Sequence, residues 1–400
     1  MSKSLLFITV SLFFSLIKAG YWDQQELSTE AMVIVPVTNA AEEQIIKEYG
    51  DSYMMPVLEM QEDGKIISLR SYQPLFNEVV KVIEVKEDEV CCLLNNAYYY
   101  TSEGVRSNIF WMPKKDIMYL KDLKQKVDPL DAVPAPYSEN FSKRVFVDGI
   151  LTLAFPWCDY ETGTWYSAGT RFVRIASQDT EEAYAVKMID FASYSVKVAL
   201  VPKKDAVVIY SKDNFVRLLK CWTTSASKIP YVWGGCSFIS LVEPDNFISE
   251  VNIKNGQKVT FWHRPESKPY TGFECASLIL RAAQVCGMPY FCKTTVAALS
   301  NLRELNESDT LEEGDLIWYP IHIMVVGDLK KNELIEARGY PHGFGIVQSI
   351  HISKFFEGVH SFEELLKAYK AKQPLKILNK AGHVCKQITQ MKILKLNSIY

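Results

Sequence analysis

The segment from Cys275 to Cys286 constrains this chain more than any other. Ala276, Ile279, Leu280 and Ala283 recur at i, i+3, i+4 and i+7, the spacing that brings apolar side chains onto one face of an α-helix. Gly287 is a natural stop, because glycine readily takes the left-handed backbone that ends helices. An apolar helical face must be buried against a second layer. The segments 315–319, 322–326 and 333–337 read as strands and supply that layer. A helix followed by antiparallel-type strands predicts an α+β domain, and residues 215–227 read as a further helix.

The first half of the chain is different in kind. Segments 31–37, 79–85 and 90–94 are rich in β-branched residues, and so are 170–175 and 196–201, with a shorter candidate at 144–147. Between the two groups lies a proline-rich stretch around Asp128-Pro129 and Val133-Pro134-Ala135-Pro136. Proline cannot donate to a ladder, so this stretch is expected to be a linker. The expected layout is a first small β-barrel over 30–125, a second over 140–205 and the α+β domain over 210–400. Lys3, the apolar run from Leu5 to Ile17 and the small residues Ala19 and Gly20 read as a secretory signal peptide over residues 1–19. Export is therefore expected, to a periplasm or to the medium, without stable membrane insertion.

Net charge is −3, with 23% charged residues, so nothing in the overall balance points to nucleic acid. Residues 367–400 carry eight Lys and no Asp or Glu; a solvated basic face is the reading preferred over contact with an anionic polymer. The nine cysteines include no Cys-x-x-Cys pair and no Cys/His cluster at zinc spacing, so no metal and no cofactor are expected. Adjacent Cys91 and Cys92 read as buried, inert thiols.

Cysteine chemistry needs a thiolate, a base and a group that orients the base. Cys275 stands where the helical pattern begins, where the helix dipole favours a thiolate and free backbone N–H groups favour an oxyanion. Of six His, His322 begins a clear apolar strand. From the residues alone, a buried structural thiol and a satisfied core histidine remain alternatives.

Four motifs in order narrow the choice. Pro230-Tyr231-Val232-Trp233-Gly234-Gly235 resembles the opening motif of the NlpC/P60 family of papain-like peptidases. Gly272-Phe273-Glu274-Cys275-Ala276-Ser277-Leu278 resembles the family's nucleophile motif, with Glu274 in place of the usual Asp. Residues 311–319 resemble its Leu-x-x-Gly-Asp-Leu strand, and 321–328 its base-bearing strand. The resemblance covers about residues 225–350. It implies a papain-like catalytic domain, here behind two SH3-like β-barrels, in which Cys275 is the nucleophile and His322 the base. It also implies cleavage of peptidoglycan stem peptides or free muropeptides, in many relatives at the γ-D-glutamyl-diamino acid bond. Residues 108–116 resemble the closing strand of a bacterial SH3-like repeat.

The family's third catalytic position is usually a His in the strand after the base. Here Glu336 matches it, and a carboxylate can accept the imidazole N–H. His342, in the Tyr340-Pro341 turn, is the alternative. Tyr231 is expected to contact substrate through its phenol, with plain aromatic packing as the other reading, and Trp233 is expected in the core. The 36 residues between Gly235 and Gly272, which include His263, read as an insertion that shapes the cleft. A non-catalytic wall-binding protein and an amidase or acyltransferase of the same fold are the alternative functions.

Overall fold

The computed structural model describes residues 28–44, 58–60, 66–67, 70–127, 130–137, 149–208, 213–254, 257–263 and 270–399. The signal-peptide segment and the strand expected at 144–147 lie outside the described residues.

The fold is mixed α+β. The first sheet contains β1 (Glu30–Val33), β2 (Val79–Lys86), β3 (Glu89–Leu93), β4 (Ile109–Pro113) and β5 (Ile117–Tyr119), in the order β4-β3-β2-β1-β5. The second contains β6 (Ile150–Leu153), β7 (Arg171–Arg174), β8 (Ala183–Asp190), β9 (Ser195–Pro202) and β10 (Ala206–Val207), in the order β9-β8-β7-β6-β10. The two orders are the same. In both, Pro-Lys-Lys-Asp forms a 3-10 turn before the last strand, at Lys114–Asp116 and at Lys203–Asp205. These are two copies of one antiparallel module. Pairing among the described residues leaves each as a five-stranded sheet, its two outer strands not paired with one another.

The proline-rich connection is packed between the modules. Leu130, Ala132 and Val133 are buried in one cluster with Met32, Leu120 and Leu123 of the first module and Ile189 of the second. Its prolines predict a linker, and its apolar residues Leu130, Ala132 and Val133 pack that linker against both modules.

The third sheet has six strands: β11 (Arg303–Glu304), β12 (Leu316–Tyr319), β13 (His322–Asp328), β14 (Glu333–Arg338), β15 (Ile346–His351) and β16 (Lys392–Lys395), ordered β11-β16-β12-β13-β14-β15. Its side chains alternate cleanly. Leu316, Trp318, Ile323, Val325, Ile335 and Ala337 share a core with α1 (Cys275–Val285), which packs on β13 and β14. Ile317, Met324, Val326 and Leu334 face a second core with α2 (Phe362–Lys370), Phe355 and Phe356. Every residue of α1 is buried.

The 36-residue insertion forms the hairpin Ile248–Lys254 with Gln257–His263. The hairpin pairs onward with Leu58–Met60 of the first module, so the two parts of the chain share a four-stranded sheet. His263 lies on that hairpin, opposite Ile248.

Arg281 ties α1 to the first module more tightly. It is completely buried, and all five of its N–H groups are used. They donate to the Cys236 carbonyl at 2.9 Å, Glu78 at 3.0 Å, Gln284 at 2.9 Å, the Tyr72 hydroxyl at 3.1 Å and the Gln73 carbonyl at 3.0 Å. A buried guanidinium is tolerable only when its charge and donors are met in this way.

Candidate active site

Cys275 is the first residue of α1 and only 8% exposed. Glu274 precedes it in extended backbone, at φ −87° and ψ 174°. The Glu274 carboxylate accepts the Gly234 N–H at 2.9 Å and the Ser277 hydroxyl at 3.1 Å, and it pairs with Lys293. One side chain thus ties the 230–235 loop to the start of the helix. Phe273 N donates to the Pro230 carbonyl at 3.1 Å and Glu274 N to that of Gly235 at 3.2 Å.

Glycine is obligatory at two points here. Gly234 has φ +64°, and a Cβ on it would lie 1.8 Å from the Arg70 carbonyl oxygen. A Cβ on Gly272 would lie 2.3 Å from the carbonyl oxygen of Pro230. The close approach of these backbones sets where Cys275 stands.

His322 is the first residue of β13 and stands beside Cys275, close enough for the cysteine to favour the imidazolium. Its Nε2 lies 2.9 Å from Glu336 Oε2. Burial pulls the imidazole pKa down, but the hydrogen bonds and charges of Cys275 and Glu336 outweigh it, and it is pushed up to about 9. Tyr319 and Phe355 flank the ring, with centroids 5.3 and 6.2 Å away.

Glu336 is 1% exposed. Burial would raise its pKa, yet the hydrogen bond with His322, the charge of Arg338 and the amide of Gln348 hold it below its ordinary value. Gln348 Nε2 donates to Glu336 Oε1 at 2.9 Å from the facing position of β15. Arg338 Nη1 stands 3.8 Å away, its guanidinium between Phe344 and Phe355. Glu336 is thus a buried anion aimed at the imidazole.

Cys275, His322 and Glu336 therefore meet in one chain of contacts. His342 sits in the 3-10 turn Tyr340–His342, while Glu336 occupies His322 Nε2. Tyr231 is buried beside the site, and burial followed by the charges of Cys275 and Glu274 pushes its phenol well up. Its carbonyl accepts the Tyr340 hydroxyl at 2.7 Å, and its ring packs edge-on against Trp233 at 5.5 Å. Trp233 is only partly buried, against the core rather than within it. Sequence reasoning missed Gln348, Arg338 and Lys293; the Glu-x-Arg spacing on β14 was the one signal available for any of them.

A thiol at a helix N-terminus, beside an imidazole oriented by a buried carboxylate, has the parts for nucleophilic acyl transfer. Among the described residues, no group of three or more His, Cys, Asp or Glu is placed to hold a metal ion.

No protein-family model matches the chain, and no curated protein matches its sequence. Among solved structures it is similar to an NlpC/P60 family protein from Bacillus cereus, with TM-score 0.48 and 15% identity over 81% of this chain and 94% of that one. It is also similar to NlpC2 and NlpC1 from Trichomonas vaginalis, with TM-scores of 0.30 and 0.29 and identities of 8% and 9%. Those two matches each cover 82% of this chain, and 94% and 88% of theirs.

Proposed function

We propose that the chain is an exported cysteine peptidase that hydrolyses peptidoglycan stem peptides, at the γ-D-glutamyl-diamino acid bond of muropeptides. The observation that carries this reading is the Cys275–His322–Glu336 contact chain at the start of a buried helix. The four ordered motifs supply the substrate class.

In this mechanism the Cys275 thiolate attacks the scissile carbonyl carbon. The first-turn N–H groups of α1 hold the oxyanion. The intermediate collapses to a thioester as the C–N bond breaks, and the His322 imidazolium gives its proton to the departing amine. Water then attacks the thioester, with His322 as the base, and releases the acid and the thiol. Glu336 keeps the ring oriented and stabilises its cation throughout. Tyr231 lines the cleft beside the thiol. The two β modules are SH3-like units, and the residue 1–19 segment directs export.

Product mass analysis tests the reading. A free L-alanyl-γ-D-glutamyl-diamino acid tripeptide should release an N-terminal dipeptide. Release from intact sacculi alone would assign the enzyme to the polymer, and no cleavage of either would favour a non-catalytic wall-binding protein or transfer to another acceptor.

A further inference from the structure

Near the site stands a cation, Lys386, that has no acid partner among the described residues. Lys386 belongs to Val384–Ile388, which pairs with Leu375–Leu378 in a C-terminal hairpin. Its Nζ lies 5.4 Å from the Tyr319 ring centroid and 3.5 Å from the Pro320 carbonyl oxygen. The Tyr319 ring is itself 5.3 Å from that of His322. Other lysines of this region have acid partners: Lys380 has Asp245, Lys376 has Glu357, Lys392 has Glu304 and Lys395 has Asp315. Among the described residues no carboxylate stands within ion-pair distance of Lys386; its polar contact is the Pro320 carbonyl. The buried Arg338 adds positive charge on the same side, while burial and the neighbouring cations hold the His342 pKa down; Glu336 is engaged by His322 and Gln348.

The reaction fixes which part of a substrate would meet this cation. The general acid must reach the leaving nitrogen, so the leaving portion lies over the His322 ring. Beyond that ring stand Tyr319, Pro320 and Lys386. The geometry points to Lys386 as a specificity-determining residue that receives a carboxylate on the leaving portion of the substrate. Its ammonium lies over the Tyr319 ring, where it acts as a point charge for one carboxylate. This inference rests on the peptidase reading. The carboxylate is either the C-terminal one or a second one on the diamino acid side chain, and both present the same chemistry.

Three tripeptides separate these sources: one with both carboxylates, its C-terminal amide, and one whose diamino acid lacks the side-chain carboxylate. Each is assayed with wild type, Lys386→Met and Lys386→Arg. The wild type should prefer the first peptide about tenfold or more in kcat/KM over the peptide missing the recognised carboxylate, mainly through KM. Lys386→Met should lose that preference, and Lys386→Arg should retain most of it. A wild type that treats the three peptides alike, or a Lys386→Met enzyme with unchanged preference, overturns the role of Lys386 and leaves the peptidase reading standing. A wild type that cleaves none of the three overturns both.

Discussion

His322 Nε2 and Glu336 Oε2 stand 2.9 Å apart, between the first residue of β13 and a completely enclosed carboxylate on the neighbouring strand β14. Gln348 and Arg338 hold that carboxylate charged, and the charge holds the imidazole.

Replacing Glu336 with Gln keeps the shape and removes the charge. Peptide hydrolysis should fall by roughly a hundredfold or more in kcat, because the imidazolium loses its counter-charge and its preferred tautomer. The alkaline limb of the pH–rate profile should move below its wild-type position. A variant with an unchanged profile would make Glu336 a purely structural residue.

The pH dependence has a definite sign. His322 is raised from 6.5 to about 9, so its stabilisation is full below 6.5 and is lost as pH climbs through about 9. Glu336 is lowered, so its stabilisation is present above the ordinary carboxylate range and is lost on acidification. Thermal unfolding across the pH range should show a plateau that falls on both sides, and the alkaline fall should be shallower in His322→Ala. Turnover should also decline above about pH 9, where the proton for the leaving amine is gone.

Arg281 and Glu78 join α1 to the first module at 3.0 Å in a fully buried setting. Arg281→Met strands a buried carboxylate and should cost about 3 kcal/mol or more in denaturant unfolding. The double variant Arg281→Met with Glu78→Gln should regain part of the loss, since no uncompensated charge then remains.

Gly234 and Gly104 both have positive φ, at +64° and +76°, but only Gly234 meets another backbone. Gly104→Ala should cost about 1 kcal/mol, the ordinary expense of a left-handed non-glycine residue. Gly234→Ala must also displace Arg70 and should cost about 3 kcal/mol or prevent folding. Urea midpoints and soluble yield compare the two.

Much of this arrangement was legible in the chain because it is local. The spacing that marked the apolar helix placed Cys275 at its start, and Cys275 is its first residue. The strands that carry His322 and Glu336 begin where the apolar runs begin. What escaped depends on distant pairing. Gln348 meets Glu336 only through the register of β14 with β15, and Arg281 meets Glu78 only through docking of a module some 200 positions earlier in the chain. The proline-rich connection was read from its prolines, while its burial is decided by Leu130 and Val133. Barrel closure was expected from strand content, which does not determine whether outer strands pair.

The central claim is that Cys275 forms a covalent bond with its substrate. Acid quenching during turnover of the free tripeptide, followed by intact-protein mass measurement and peptide mapping, tests it directly. The account predicts a dipeptidyl adduct on Cys275 in the wild type, with neither adduct nor product in Cys275→Ala. Continued hydrolysis by Cys275→Ala, or an adduct on a different residue, would contradict it.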